Sequence, residues 1–349
     1  MPTAHTHLPS HPTIEQVFPP VAMPGAEIAL LGASLGATAS HLPTVMTNGQ
    51  EAQLVMCRAD RIVVRMPEQA RTGMLEVLRD GERSNPIPMI VARLLSDGLH
   101  PVTSPVVSRS GMIYTTISGP RGKQTPVSIV RISPDGEGTP FVSGILNATG
   151  LAIHPDGDLF VSSRAEGTIY RIDAGGDAVT YADGMGVATG IAFDDDGNLF
   201  VGDRSGTIFK IAQGHSERDK KVFVFATLEP SVAAYHLATG PDGTLFVTAP
   251  TLTSHDSVWA IDRDGAVRSW YKGLGRPQGL AVDAESHVYV TASLAGQRGL
   301  VRIDAEGHAE IVVAGHSVVG VAFSPLGSTI LTTNDAVYEV EIGVSSASE

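Results

Sequence analysis

Residues 187–209 read VATGIAFDDDGNLFVGDRSGTIF, and residues 147–170 read NATGLAIHPDGDLFVSSRAEGTIY. Each stretch contains a strand of small and apolar residues, an Asp-Gly turn, a second apolar strand, a polar loop and the start of a third strand. Glycine suits such a turn because it takes positive φ angles without steric cost. Near-identical units that follow one another along a chain predict a repeat architecture of small stacked sheets.

The same unit recurs across residues 91–343. Aligned on the residue five positions before the turn glycine (a serine in the fifth unit), successive units lie 40 to 46 residues apart. The aligned residues are Val106, Ala152, Ala192, Ala238, Ala281 and Ala322. Six units of four strands at this period predict a six-bladed β-propeller. Residues 91–95 would complete the last blade and remove unpaired sheet edges, and residues 344–349 are expected to form a tail.

The acidic residues of the repeat turns have two possible roles. As turn residues, Asp156, Asp196 and Asp242 would accept hydrogen bonds from nearby amides beside the turn glycines. As ligands, the run 194–196 would hold calcium, but it lacks the alternating oxygens and the distant glutamate of a calcium loop. The sequence therefore favours the structural role.

Residues 14–90 differ from the repeats and follow a tail, residues 1–13, that is expected to be disordered. They form short apolar strands separated by glycine and proline turns. Several strands in fewer than a hundred residues predict a small immunoglobulin-like β-sandwich. The fold class predicted for the chain is therefore all-β, a sandwich followed by a propeller.

This first segment resembles the IPT/TIG family of immunoglobulin-like domains. The matching elements are Val17-Phe18-Pro19, Pro24-Gly25, the strand end Gly32-Ala33-Ser34-Leu35-Gly36 and Val64-Arg65-Met66-Pro67. Some members of that family bind DNA. Here residues 14–90 carry six basic and eight acidic residues, a balance that gives no basic face. The resemblance therefore implies a spacer or an interaction module for a protein partner.

The composition of the whole chain argues against several classes of function. The formal net charge is -13, and a surface of that sign repels phosphate backbones, so we expect no nucleic-acid partner. No apolar run approaches the about 20 residues that a membrane helix needs. The first residues lack the apolar segment of a secretory signal, which predicts a cytoplasmic protein with no membrane partner. The single cysteine, Cys57, allows no disulfide within the chain.

One position of each repeat is expected to face the central channel, three residues before the aligned residue. Its occupants are Thr103, Thr149, Thr189, Tyr235, Gln278 and Val319. Differences between repeats at this position are where function is expected, because the shared residues maintain the common backbone. The next position is glycine in four repeats but His236 in the fourth, which makes His236 the least repeat-like residue of the ring.

Residues 91–343 resemble NHL propellers and the regucalcin–gluconolactonase group of six-bladed lactonases. Matching strand starts are Thr149-Gly150-Leu151-Ala152 and Pro277-Gln278-Gly279-Leu280. The resemblance implies a lactonase whose divalent metal is held on the axis by Glu, Asn and Asp side chains at the channel positions. None of the six occupants here is an acid or an asparagine, and hydroxyl and amide groups do not replace the anionic ligands of a hard cation. We therefore predict no metal and no other cofactor.

The candidate ligand-binding residues combine channel positions with loops of the same propeller face. They are Thr103, Thr149, Arg164, Thr189, Asp203, Arg204, Tyr235, His236 and Gln278. Arginine donates in forks to carboxylate or phosphate, and threonine or glutamine binds sugar hydroxyls. Structural roles stay open for several of them. Arg164 and Arg204 would then be solvated loop residues, Asp203 would cap its own hairpin, and His236 would be a packed side chain.

The first functional hypothesis is a binding propeller. It would hold a small polar, anionic or polyhydroxyl ligand, or a protein partner, over the channel mouth. The alternative is a gluconolactonase-like hydrolase of a sugar lactone or ester, with His236 as general base and Tyr235 or Arg204 stabilising the oxyanion. A third possibility is a scaffold that offers interaction surfaces only. The catalytic residues stay unknown at this point, with His236 and Tyr235 as candidates.

Overall fold

The structure, a computed structural model, describes residues 11–39, 41–101, 103–213, 219–253 and 255–344. The described residues are all-β and fall into two compact units. The first comprises Met1–Arg93 and Ile311–His316, and the second comprises Leu94–Glu310 and Ser317–Glu349. Most of the two expected tails lies outside the described residues. No described helix is long and apolar enough to cross a membrane.

The N-terminal part of the first unit contains nine short strands. They are β1 (Thr13–Phe18), β2 (Val21–Ala22), β3 (Glu27–Ala33), β4 (Thr44–Thr47), β5 (Gln50–Cys57), β6 (Arg61–Arg65), β7 (Gly73–Arg79), β8 (Glu82–Arg83) and β9 (Ile87–Val91). The first strand therefore begins at Thr13, one residue earlier than the predicted boundary.

Strand β5 links two sets of antiparallel strands in this unit. Its first residues pair with β4, which continues to β7 and β9, and its later residues pair with β6, which continues to β3 and β1. Apolar residues at alternate strand positions, such as Ile28 and Leu30, are fully buried, which gives the unit its own core. Strand β2 pairs in parallel with β9, and Ala22 pairs with Ala314 from far along the chain.

The rest of the chain folds into the strands of the repeats. They are β10 (Arg93–Ser96), β11 (Val106–Val107), β12 (Ile113–Thr116), β13 (Ile129–Ile132), β14 (Gly138–Val142), β15 (Ala148–Ile153), β16 (Leu159–Ser163), β17 (Thr168–Ile172), β18 (Ala178–Ala182), β19 (Ala188–Phe193), β20 (Leu199–Asp203), β21 (Thr207–Ala212), β22 (Lys221–Thr227), β23 (His236–Thr239), β24 (Leu245–Thr248), β25 (Asp256–Ile261), β26 (Val267–Leu274), β27 (Leu280–Val282), β28 (Val288–Leu294), β29 (Gln297–Ile303), β30 (Ala309–Ala314), β31 (Gly320–Phe323), β32 (Thr329–Thr332) and β33 (Val337–Val340).

The second unit is a β-propeller, as predicted. Five four-stranded sheets are separate in the described residues: β11–β14, β15–β18, β19–β22, β23–β26, and β31–β33 completed by β10. The bonding of β10 to β33 is the predicted closure. The count of separate sheets is five, not the six predicted, because part of β30 groups with the first unit, where Ala314 pairs with Ala22.

The core of the propeller lies between adjacent sheets. The second strand of a repeat is buried along its whole length, as in β16 and β20, because a neighbouring sheet covers each face. Phe160 and Ile169 of one sheet thus pack with Ile191 and Val201 of the next. The fourth strand is exposed instead, as β22 shows.

Hydroxyl groups on the second strands join neighbouring repeats near the channel. In each case the acceptor is the carbonyl of a channel position in the following repeat. The pairs are Thr116 to Thr149 (3.2 Å), Ser162 to Thr189 (2.5 Å), Thr248 to Gln278 (2.5 Å) and Thr332 to Thr103 (3.3 Å). We call these four bonds the hydroxyl ring. The last of them joins the end of the propeller to its beginning.

The first turn of every repeat has the same backbone shape. Its turn residue has positive φ at all six positions, namely Gly111, Gly157, Gly197, Gly243, Ser286 and Gly327. Ser286, the one residue that is not glycine, has a φ of 67°. This left-handed conformation costs an L-residue about 1–2 kcal/mol.

The turn acids differ from the prediction at two of the three positions. The carboxylate of Asp156 accepts no amide among the described residues and lies 3.3 Å from His154 Nδ1. Asp242 accepts a hydrogen bond from the Thr244 amide at 2.9 Å, as expected. In the run 194–196 the acceptor is Asp194, which takes the Asn198 amide at 2.8 Å and lies 3.6 Å from the Lys210 ammonium. Asp194 is therefore already bound by protein donors, because the turn brings the Asn198 amide back to its carboxylate.

Exchanging glycine and serine at two equivalent turns tests this backbone requirement. We expect Ser286→Gly to raise the free energy of unfolding by about 0.5–1 kcal/mol, because glycine removes the strain of positive φ. The matched change Gly327→Ser should lower it by about 1–2 kcal/mol. A Cβ at Gly327 meets no atom within 4 Å, so its cost comes from the backbone alone. Urea unfolding measures both, and a destabilised Ser286→Gly protein would contradict the argument.

Candidate functional site

A cavity of about 220 Å³ lies within the propeller unit. We call it the channel pocket, and its lining residues are Thr149, Arg164, Thr189, Arg204, Val232, Ala233, Ala234, His236 and Gln278. Six of the nine candidate residues from the sequence are among them. The cavity is large enough for a small organic molecule.

The other three candidates lie behind the lining and support it. Thr103 donates its hydroxyl to the Thr149 carbonyl at 2.7 Å. Asp203 is buried and caps its hairpin, accepting the Val187 amide at 2.7 Å and the Ser205 hydroxyl. No hydrogen bond or ion pair joins Asp203 to Arg204 in the described part of the chain. The capping role left open by the sequence is the one that the structure displays.

Tyr235 is a buried structural residue. Its amide donates to the Thr189 hydroxyl at 3.0 Å, and its own hydroxyl donates to the Glu229 carbonyl. Burial, followed by the charges of Asp203 and Glu229, raises the pKa of Tyr235 to about 12. Its phenol is thus neutral at physiological pH and directed to the protein backbone, not to the pocket.

The two lining threonines have no hydroxyl proton left for a ligand. Thr149 donates to the Asn147 carbonyl at 2.9 Å. Thr189 donates to the Gly202 carbonyl at 3.0 Å while it accepts the Tyr235 amide. Both hydroxyls fix the starts of the innermost strands.

Arg164 and Arg204 occupy the same position in adjacent repeats, directly after β16 and β20. Arg164 Nη2 donates weakly to the Gly119 carbonyl at 3.4 Å, and Arg204 Nη2 donates to the Val232 carbonyl at 3.0 Å. The Nε atoms of both are buried with no hydrogen-bond partner among the described residues. Burial lowers the pKa of Arg164, and the charges of Arg204 and Arg121 lower it further. Two incompletely paired cations therefore border one cavity.

Gln278 is held in place by Arg298. Its side-chain oxygen accepts Arg298 Nη2 at 2.7 Å. Arginine can only donate, so this bond turns the amide oxygen towards Arg298 and leaves the amide nitrogen as a donor. Burial lowers the pKa of Arg298, and the charge of Arg276 adds to that effect.

His236 is only 4% exposed and stands where most repeats have glycine. Its imidazole forms no hydrogen bond with any residue that the structure describes. Burial lowers the pKa of His236 to about 4, so the ring is neutral near pH 7. Gly202 in β20 leaves space for Tyr235, the residue directly before His236. A Cβ at position 202 would lie only 2.7 Å from the Tyr235 Cβ.

The loop that precedes β23 forms one wall of the pocket. The Ser231 amide donates to the Arg204 carbonyl at 3.1 Å, and the Val232 amide donates to the Pro250 carbonyl at 3.1 Å. The Ser231 hydroxyl donates to the same Pro250 carbonyl at 2.9 Å. The bond to Arg204 joins this loop to the preceding repeat, and the two bonds to Pro250 join it to the loop after β24 of its own repeat.

Sequence reasoning missed Asn147, which organises the loop beside Arg164. Asn147 has a φ of 48°, donates to the Gly119 carbonyl at 3.0 Å and accepts the Gly122 amide at 2.7 Å. Gly119 is also the acceptor for Arg164. An asparagine directly before a repeat strand is a usable signal, because asparagine tolerates left-handed backbone better than most residues.

The lining of the channel pocket does not fit the divalent metal that the lactonase resemblance implies. The cavity is lined by no carboxylate, and its full charges are the guanidinium groups of Arg164 and Arg204. A hard cation would meet repulsion instead of anionic oxygen. Two other groups of potential ligands, Asp283, Glu285 and His287, and Asp304, Glu306 and His308, lie in turns. In both, the histidine ring is paired with its own aspartate.

The first unit carries an open depression of about 720 Å³ instead of an enclosed cavity of this kind. Thr38, His41, Leu42 and Asp80 are among its lining residues. Its polar groups pair with one another, since the Thr38 hydroxyl donates to Asp80 at 3.0 Å. We therefore place the candidate site in the channel pocket, where buried polar groups lack partners.

Comparison with solved structures supports the propeller assignment. A gluconolactonase from Xanthomonas campestris is 17% identical, with 72% of this chain and 89% of that chain covered and a TM-score of 0.57. A Bacteroides thetaiotaomicron protein of unknown function is 14% identical over 95% and 98%, with a TM-score of 0.58. An auxiliary nutrient binding protein from Bacteroides ovatus is 11% identical over 95% and 98%, with a TM-score of 0.54. At these identities the likeness shows the fold alone.

No protein-family model matches the chain, and no curated protein is similar to it in sequence. The family resemblances found in the sequence therefore remain predictions. The class that the structure defines is a β-propeller with a donor-rich pocket.

The burial of His236 predicts a specific pH dependence of stability. Between pH 6.5 and 4 the unfolded chain takes up a proton at this residue while the folded protein does not. The free energy of unfolding should therefore fall as the pH decreases through this window, by up to about 1.4 kcal/mol per pH unit. Urea unfolding of the wild type and of His236→Gln at several pH values measures it. Identical pH profiles for the two proteins would contradict the burial argument.

Proposed function

We propose that the propeller unit binds a small polar molecule in the channel pocket. The observation that carries this proposal is one cavity lined by Arg164 and Arg204, whose buried Nε atoms have no partner among the described residues. The imidazole of His236, which forms no hydrogen bond with a described residue, lines the same cavity. A buried polar group left unpaired costs about 1–3 kcal/mol. Native proteins keep few such groups, so several at one cavity favour a bound partner that completes them.

The walls of the pocket support the proposal because they are held before any ligand arrives. The hydroxyl ring fixes the carbonyls of Thr149, Thr189 and Gln278. The loop bonds from Ser231 and Val232 to neighbouring backbone fix the opposite wall. Binding to a preformed site loses less conformational entropy than binding that must order it.

We further propose that the propeller has six blades and that the first unit is an IPT/TIG-like sandwich. In support of the sixth blade, strands β27 to β30 are hydrogen-bonded in chain order. In support of the sandwich, β5 is shared between two antiparallel sets of strands. The near-balanced charge of this segment favours a protein partner for it over nucleic acid.

Hydrolysis of a sugar lactone or ester is the second candidate function. The neutral imidazole of His236 in the pocket favours it, since a neutral ring can accept a proton from water. Arg204 would stabilise the oxyanion. Tyr235 is a poor candidate for that role, because its hydroxyl donates to the Glu229 carbonyl. A pKa of about 4 also makes His236 a weak base, so binding is the better-supported function.

Filling the cavity tests the binding proposal without assuming the class of ligand. The probes are glucose, glycerol and inositol as neutral molecules, and lactate, succinate and phosphate as anions. We expect at least one probe to raise the melting temperature of the wild type, since a ligand at about 100 times its Kd adds about 2.7 kcal/mol of stability. Ala234→Phe should abolish that shift. The control Ala178→Phe, on the exposed strand β18, should keep it.

If no probe shifts the melting temperature, or if Ala234→Phe responds like the wild type, the binding proposal fails. Hydrolysis is followed in the same samples with gluconolactone and a sugar ester in the presence of a chelator. We expect no turnover above the buffer rate. Chelator-resistant turnover that His236→Gln removes would establish the second candidate in place of the first.

A further inference from the structure

Apart from the neutral imidazole of His236, which offers one donor and one acceptor, the side-chain groups of the channel pocket without a partner are donors. The two Nε atoms of Arg164 and Arg204 and the side-chain nitrogen of Gln278 are all hydrogen-bond donors. The two lining threonines already donate their hydroxyl protons to backbone carbonyls. A ligand that completes the pocket therefore has to bring acceptors.

The positive charges at the pocket form no ion pair with any carboxylate that the structure describes. Arg65, Arg83, Arg171 and Arg302 are among the arginines that form ion pairs with carboxylates. Arg164, Arg204 and Arg298 take part in none of them. Asp203, the acid next to Arg204 in sequence, uses its two oxygens on the Val187 amide and the Ser205 hydroxyl. No described carboxylate thus neutralises the pocket arginines.

The arginines also repel one another. The charge of Arg204 lowers the pKa of Arg164, and the charge of Arg276 lowers that of Arg298. Like charges held together in partly buried positions are unfavourable in the empty protein. An anion between them would reverse that effect, and arginine forks match the two oxygens of a carboxylate.

The remaining wall favours an organic anion over a bare inorganic one. Residues 232–234 contribute apolar Val232, Ala233 and Ala234 side chains to the same cavity. These groups would contact a carbon skeleton, which inorganic phosphate lacks. The volume of about 220 Å³ limits that skeleton to a small one.

We propose that the channel pocket holds a small organic carboxylate, with its anionic group between Arg164 and Arg204 and a third hydrogen bond from Gln278. This proposal rests on the proposed function and names the class of ligand for the same site. Arg298 is a positioning residue in this arrangement, because it acts on the ligand through Gln278.

Titration calorimetry on the full chain tests it with acids and their uncharged amides. The pairs are lactate with lactamide, butyrate with butyramide and succinate with succinamide, and phosphate is added as an anion without carbon. We expect the best acid to bind at least about tenfold more tightly than its amide. Arg164→Gln and Arg204→Gln should each weaken that acid by about tenfold or more.

Two controls separate the local effect from general charge and from misfolding. Arg268→Gln removes the same charge on the exposed strand β26 and should leave the affinity of the acid unchanged. The two pocket variants should melt close to the wild type without ligand, because each loses one backbone hydrogen bond but also removes an incompletely paired cation from a repulsive pair.

Each other outcome overturns the carboxylate proposal in a distinct way. If acid and amide bind with equal affinity, or if both arginine variants keep the affinity of the wild type, the ligand is not recognised as an anion. The proposed function would then stand with a neutral ligand. If phosphate binds more tightly than every carboxylate, the pocket is a site for an inorganic anion and the carboxylate proposal is wrong. No heat from any probe, neutral sugars included, overturns the proposed function together with this inference.

Discussion

Side-chain hydroxyls that donate across the gap between neighbouring repeats are the interaction on which the propeller unit depends. Each sheet buries its apolar faces against the next, but apolar contact has no direction and does not fix how far one sheet slides past another. The hydroxyl ring does, because each bond reaches a single carbonyl of the following repeat. The Thr332–Thr103 bond carries the same rule from the last repeat to the first. The side chains at the channel positions thereby keep fixed places.

The rule is interrupted in two repeats, and the candidate site lies at one of them. In the fifth repeat the hydroxyl of Thr291 donates to Gly279 of its own repeat. In the third repeat the position of the donating hydroxyl is held by Gly202, and the space is used by Tyr235 of the following repeat. The fourth repeat, which contains Tyr235, also has His236 where most repeats have glycine, and its loop before β23 is longer. The glycine at position 202 leaves the space that Tyr235 fills, so the departures from the repeat pattern in the third and fourth repeats depend on each other. Repeats that must pack alike leave little freedom elsewhere for a site to develop.

Charge separates this pocket from the rest of the molecule. The chain is acidic overall, with a net charge of -13, yet the cavity is bordered by arginines that no described carboxylate neutralises. This local sign explains why the pocket does not suit the divalent cation expected from the lactonase resemblance. In the lactonases that the sequence resembles, acidic side chains at the channel positions hold the metal. Here the lining residues include threonine, glutamine and arginine instead. Ligand choice is set by side chains, while the fold only supplies their positions.

The sequence by itself determined the features that depend on neighbours along the chain. The spacing of the Asp-Gly turns predicted the propeller. It also predicted the turn at Ser286, which has the same positive φ as the turn glycines, because turn shape depends on a few consecutive residues. Counting from those turns also placed Thr149, Thr189, His236 and Gln278 at one pocket. Partner choice could not be obtained in this way, since each contact joins residues far apart in sequence. Only the tertiary structure decided that Asp203 caps a hairpin instead of neutralising Arg204, and that Arg298 turns Gln278. It also decided that the segment Ile311–His316 groups with the first unit, because strand pairing is set by the folded chain and not by the local repeat.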